Sequence, residues 1–169
     1  MSEAPSPVAI TIRPALPEDA EGIARTFLES AEYHAGLEPA RYQVPDVKTI
    51  LARYQNGQQH PSDSSEESIT LVAELSGEIV GFVDVGLGRS PDPMHRDIVY
   101  CHTAEIAVSS RHQKQGIGEK LLLAAEVWGR SKGAAFASLE YHVANTRAAK
   151  FYQRRMGYSV AAFIAIKRL

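Results

Sequence analysis

Apolar and polar residues alternate at the start of the chain, where Val8, Ile10 and Ile12 share one side of a strand predicted over 8–12, with Pro14 closing it. Pro17, Glu18 and Asp19 then have the character of a first helical turn, with proline where no amide is needed and acids where the helix dipole favours them. Ile23, Phe27 and Ala31 supply the buried stripe of that helix. A second helix is predicted over 46–54, with Val47, Ile50, Leu51 and Tyr54 apolar and Gly57 as its stop. Between the two helices, 32–45 has no clear period. The segment 56–68 is rich in Gln, Ser, Asp and Glu, and it cannot offset the roughly 1–2 kcal/mol per residue of backbone ordering, so it reads as a mobile loop.

Two β-rich runs follow, 69–75 and 78–88, separated by Ser76-Gly77, whose glycine suits a tight hairpin turn. A further strand is predicted over 98–108 and a long helix from Gly116 to about Lys132, with Ile117, Leu121, Ala124, Ala125 and Trp128 apolar. A strand over 134–141, a helix over 145–156 capped by Asn145 and stopped by Gly157, and a last strand over 158–167 complete the chain. The order is β-α-α-β-β-β-α-β-α-β, an α/β arrangement in which a mixed sheet carries helices on its faces.

The 169 residues fit a flexible segment 1–7 and a single domain over 8–169. Eighteen Lys and Arg against 20 Asp and Glu leave a net charge of −2, which disfavours a nucleic-acid partner or a polybasic membrane binder. No apolar stretch is long enough to span a bilayer, and 1–7 has the character of neither a signal nor a transit peptide. The single cysteine, Cys101, forms no internal disulfide, and no Cys/His spacing matches a metal site, so a reducing, cytoplasmic setting without a metal is expected.

The near-neutral total conceals a local excess. Arg111, Lys114 and Lys120 against Glu119 leave two net positive charges at the start of the long helix. There Gly116 and Gly118 let backbone approach an anion, and the unpaired amides of the first turn point at it. A dinucleotide fingerprint would need a third glycine where Leu121 stands, and a P-loop would need Lys after Gly118, where Glu119 stands.

What remains, Gln113-x-x-Gly116-x-Gly118 between strand and helix, resembles the signature of the GNAT superfamily of acetyl-CoA-dependent N-acetyltransferases. The run from Leu139-Glu140 through Asn145 and Tyr152 to Gly157-Tyr158 looks like that family's second block, and its Leu-Glu followed by Asn is similar to the branch that acetylates the N-termini of ribosomal proteins. Tyr141-His142 and the polar loop at 56–68 depart from that branch, which puts a peptide substrate in doubt. The resemblance implies a three-layer fold with a mostly antiparallel mixed sheet. It also implies an enzyme that moves acetyl from acetyl-CoA to a primary amine in a ternary complex, the acceptor being a protein N-terminus, a lysine or a small amine.

The resemblance also assigns residues. Coenzyme A would be held by the strand edge at Ile106, Ala107 and Val108, by Gln113, Lys114, Gln115, Gly116, Ile117, Gly118 and Glu119, and by Asn145. Tyr152 occupies the position of the acid that protonates the departing thiolate, while Glu140, ranked first, and Glu105 compete as the base that takes a proton from the amine. His102 and His142 could titrate near neutral pH but are expected to be spectators. Glu32, Tyr33 and His34 fall where relatives grip the acceptor, and an acid beside an aromatic suits a cation. A homodimer paired through the last strand is compatible with the family. The readings that compete with an enzyme are a non-catalytic acyl-CoA sensor or interaction module of the same fold, and a site for another phosphate ligand such as a nucleotide.

Overall fold

The computed structural model describes residues 9–57, 67–90 and 92–167. The predicted N-terminal segment 1–7, the first residue of strand one and most of the 56–68 loop lie outside the described residues.

Five strands form one sheet in the order β1-β2-β3-β4-β5. They are β1 (Thr11–Pro14), β2 (Ser68–Leu75), β3 (Glu78–Gly88), β4 (Tyr100–Val108) and β5 (Phe136–Leu139). All neighbours are antiparallel except β4 and β5, which run parallel. Three longer helices, α1 (Ala20–Leu37), α2 (Val47–Gln55) and α3 (Ile117–Ser131), pack on the sheet, and a short α4 (Thr146–Lys150) runs into a π-helical turn at Phe151–Arg155. This is the mixed α/β, helix-flanked sheet expected from the alternation.

The two faces of the sheet have separate cores. On one, Ile23 and Ala24 of α1 and Ile50 and Tyr54 of α2 pack on Val72, Phe82 and Ala107. On the other, Ile117, Leu121 and Ala125 of α3 pack on Leu71, Ala73, Val83 and Val85. Strand β3, central and covered on both sides, reads as an almost continuous apolar run for that reason. Asp84 interrupts it, 1% exposed.

Local signals place the elements closely. Asp46 caps α2 by accepting from the Lys48 amide at 2.7 Å, and Asn145 caps α4 by accepting from the Ala148 amide at 3.0 Å. The hairpin residues Ser76 and Gly77 have φ of 52° and 80°, the paired positive values of a tight hairpin turn. Arg13 on β1 bridges Asp19 at 2.6 Å and Glu74 on β2 at 2.8 Å, tying the first helix to the sheet edge; its hydrogen bond holds the Asp19 carboxyl below its ordinary value.

Two expectations are corrected. The last predicted strand, 158–167, does not form, so the sheet has five strands and the order ends in a helical turn. Alternation supplies strand propensity, but a strand exists only with a ladder partner. Tyr158 is drawn back to the Tyr152 carbonyl (2.9 Å) and to Glu126 (3.0 Å); beyond it Phe163, Ile164 and Ile166 are 89%, 68% and 64% exposed. The helix predicted over 145–156 is the second case, since its α-helical part ends at Lys150 and the rest is the π-helical turn.

Helix α3 lies so close to β4 that a side chain at Gly129 would meet Cys101 Cβ at 2.4 Å. Alanine in place of Gly129 adds about 1 kcal/mol of helix propensity but overpacks this contact, so Gly129→Ala is expected to lower stability by roughly 1–3 kcal/mol, read as a fall in the urea midpoint.

Candidate active site

Parallel pairing between β4 and β5 runs from Tyr100↔Phe136 to Thr103↔Leu139 and stops. From Ala104 to Val108, β4 continues along β3 with no strand partner on its other edge among the described residues. A cleft of about 740 Å³ occupies the gap, walled by β4, the loop before α3, the inner face of α1, the end of β5 and the α4 turn.

The floor is backbone. Ile106, Ala107 and Val108 line the cleft with their open strand edge, and Gln113 donates from Nε2 to the Val108 carbonyl at 3.1 Å, fastening the loop to the strand end. Glu29 of α1 accepts from the Ser110 amide at 2.6 Å and holds the loop from the opposite side. Lys114 and Gly116 both have positive φ, 64° and 78°, which folds the loop so that α3 starts at Ile117. Its first backbone bond runs from the Lys120 amide to the Gly116 carbonyl, leaving the amides of Ile117, Gly118 and Glu119 without helical partners at the cleft. His112 Nδ1 is likewise buried with no partner among the described residues. Open amides, a strand edge and an orphaned ring nitrogen fit a long ligand with an anionic group near the helix start.

Two titratable groups stand in the cleft. Burial, with Asp84 adding to it, pushes the Glu105 carboxyl up to about 7; Ser30 donates to it from α1 at 3.4 Å. Tyr152 is 8% exposed, its ring packed among Phe151, Tyr141 and Tyr158. Burial and the nearby charge of Glu105 push its phenol up to about 12, so it keeps its proton at neutral pH. Glu105 and Tyr152 therefore share the cleft as a carboxyl raised to about 7 and a phenol that keeps its proton.

The remaining predicted residues divide. Glu140 lines the cleft at the end of β5 but is exposed. Asn145 lines it, 9% exposed, and its amide oxygen serves as helix cap and also accepts from the Tyr33 hydroxyl at 3.4 Å. Tyr33 and His34 reach the cleft from the last turns of α1, which extends to Leu37 instead of opening into a loop. Glu32, on the same helix, is exposed and off the cleft wall, and so is Gln115. His102 bonds Ser138 at 3.0 Å and His142 bonds Glu38 at 2.8 Å, both outside the cleft wall. No group of His, Cys, Asp and Glu among the described residues is arranged to hold a metal.

Several cleft residues escaped the sequence reading, among them His112, Ser30, Glu29 and Arg155. Ser30 and Glu29 lie on the predicted first helix without any motif to mark them. Arg155 neutralises Glu119 across the helix start at 2.6 Å, a pairing that joins positions distant in sequence.

The model of the acetyltransferase (GNAT) family matches residues 22–158, most of the chain. This chain belongs to the acetyltransferase (GNAT) family. Among solved structures, a point mutant of the BH1408 protein of Bacillus halodurans has the same fold, with a TM-score of 0.80 at 20% identity over 94% of this chain and 99% of that one. Aminoglycoside N-acetyltransferase AAC(6')-Iy, in complex with CoA, gives 0.67 at 17% identity over 99% of both chains. An aminoglycoside acetyltransferase from an uncultured soil metagenomic sample, in complex with trehalose, gives 0.64 at 18% identity over 95% of both. The search of curated proteins found no significant match. No helix of the described residues is long and apolar enough to cross a membrane.

The GNAT cleft has a stability signature that needs no substrate. A carboxyl raised to about 7 from its unfolded value of about 4.3 makes the folded state bind the extra proton, so its contribution is full below the lower value and is lost as pH rises through the upper one. The stability of the wild type relative to Glu105→Gln is therefore expected to fall between about pH 5 and pH 8, measured by denaturant midpoints at both ends.

Proposed function

We propose that this GNAT protein transfers acetyl from acetyl-CoA directly to a primary amine bound in the same cleft. The observation that carries the reading is the convergence of a neutral-range carboxyl at Glu105 and a protonated phenol at Tyr152 on one open strand edge. Support for coenzyme A comes from the open amides of Ile117 to Glu119, the free edge at Ile106 to Val108, and the CoA complex of a protein with the same fold. Lys114 faces the same helix start. The thioester supplies an activated acyl carbon, and everything else is positioning and proton transfer.

Glu105 takes the proton that an ammonium must lose before it attacks, directly or through a water, and it is competent once pH exceeds its raised value of about 7. Its burial and position favour it over Glu140 as the base; Glu140 is exposed at the rim and is better placed to attract a cation. Tyr152 gives a proton to the departing thiolate. Tyr33 and His34 line the acceptor side beside Ser30, with Asn145 holding the Tyr33 hydroxyl.

The test is acetyl transfer followed as free thiol release across protein N-terminal peptides, lysines, polyamines and aminoglycosides, the last because two proteins of the same fold act in that class. On the acceptor that turns over, Tyr152→Phe is expected to lower kcat by about 10²–10⁴-fold with little change in KM for acetyl-CoA. Undiminished turnover would remove Tyr152 as the acid. Calorimetric binding of acetyl-CoA with no turnover on any amine would instead identify a non-catalytic module, and binding of ATP or NAD but not coenzyme A would overturn the cofactor assignment.

A further inference from the structure

Behind Glu105, the face of the sheet under α1 and α2 carries a row of three polar residues where apolar ones would pack. Thr70 of β2, Asp84 of β3 and Glu105 of β4 are consecutive cross-strand partners. Two carboxylates directly opposite on antiparallel strands stand about 5 Å apart at Cβ and repel when both are ionised. Asp84 is fully buried and Glu105 half-buried at the cleft wall, so the repulsion is screened less than at the surface.

The surroundings decide which of the two keeps its charge. Asp84 accepts hydrogen bonds from the Tyr54 hydroxyl and the Thr70 hydroxyl, each at 2.6 Å, and both donors are buried with it. Short bonds from two hydroxyls favour the ionised form of a carboxylate. Burial and the charge of Asp84 raise the Tyr54 phenol, so it remains a donor. Glu105, by contrast, receives one long bond from Ser30. The other groups that bear on Glu105 are Arg53 of α2, whose charge opposes the shift, His34 one turn beyond Ser30, and Tyr152 across the cleft.

We infer that Asp84 is a positioning residue for the proposed reaction: an ionised carboxylate, anchored by Tyr54 and Thr70 and set directly across the ladder from Glu105, that adds to burial in holding the proton on Glu105. The inference deepens the reading of Glu105 as the base. Without Asp84, Glu105 would be ionised earlier but would be a weaker proton acceptor. The carboxylate at the cleft does the chemistry, while the buried one behind it adds to its affinity for the proton.

The experiment is a titration of the Glu105 side-chain carboxyl by carbon-13 NMR, assigned with Glu105→Gln, in the wild type, Asp84→Asn and Thr70→Val. In Asp84→Asn the midpoint is expected to fall by at least about one pH unit toward the ordinary carboxylate range. In Thr70→Val, which keeps the carboxylate but removes one of its donors, a smaller fall in the same direction is expected. An unchanged Glu105 midpoint in folded Asp84→Asn overturns the inference; should that variant fail to fold, an unchanged midpoint in Thr70→Val does so. The acid limb of kcat/KM should move with the NMR midpoint, a change that a purely structural role for Asp84 would not produce. The NMR readout requires no turnover, so a chain that transfers acetyl to nothing would defeat the proposed function and leave this result standing.

Discussion

Parallel pairing between β4 and β5 lasts from Tyr100 and Phe136 to Thr103 and Leu139, where β5 ends while β4 continues to Val108. The second half of β4 is left, among the described residues, with a ladder on one side and a gap on the other. An open strand edge inside a protein is a row of unsatisfied donors and acceptors that must be covered, solvated or used. Here the elements that flank the gap leave it open: the loop before α3 folds back on β4 through Gln113, α1 presents Ser30 and Tyr33, and the turn after α4 brings in Tyr152. The side chains proposed for the chemistry line the cleft that opens beyond the end of β5.

The electrostatics sort along the same edge. At the helix start the charge is handled near solvent, where Arg155 offsets Glu119 and the free amides of α3 remain for an anion. At the middle of β4 it is handled at the edge of the interior, where screening is weaker than at the surface and burial shifts a carboxyl upward. Glu105 sits at the boundary of these regimes, with its backbone in the ladder and its side chain between the α1–α2 face and the cleft. A group in that position is sensitive to what lies behind it, so the neighbours of Glu105 in the sheet matter as much as those in the cleft.

Much of this was legible from residue order. Turn and cap chemistry are local, and Asp46, Asn145, Ser76-Gly77 and Gly116 each act within a few residues of themselves, so their places could be read directly. The resemblance of the glycine loop and the Asn145-to-Tyr152 block carried the family, which the match over residues 22–158 bears out. The misreadings were tertiary. Residues 158–167 alternate like a strand, but pattern alone does not reveal that no ladder is offered to them. The resemblance places Glu32, Tyr33 and His34 together in the segment that grips the acceptor in relatives, yet a helix turns about 100° per residue and carries Glu32 off the wall that the other two reach. Asp84 did leave a signal, an acid in the midst of Glu78–Gly88, whose other residues are otherwise apolar beyond the first.

That acid bears on how the fold accommodates its chemistry. An apolar residue at Asp84 would complete the core between Tyr54 and Phe82 and remove a buried charge from the most protected strand, and such replacements of buried ionic groups are often neutral or stabilising. The chain instead keeps the carboxylate, supplies it with the Tyr54 and Thr70 hydroxyls, and sets it across the ladder from a second acid. Local rules of core construction are broken at this one row and obeyed on both sides of it, by Val72 and Phe82 beneath α1 and by Val83 and Val85 beneath α3. Departures of that kind concentrate where a protein needs a group out of its ordinary ionisation state. The well-packed faces around the row supply the burial that, with Asp84 beside it, raises the Glu105 carboxyl to about 7.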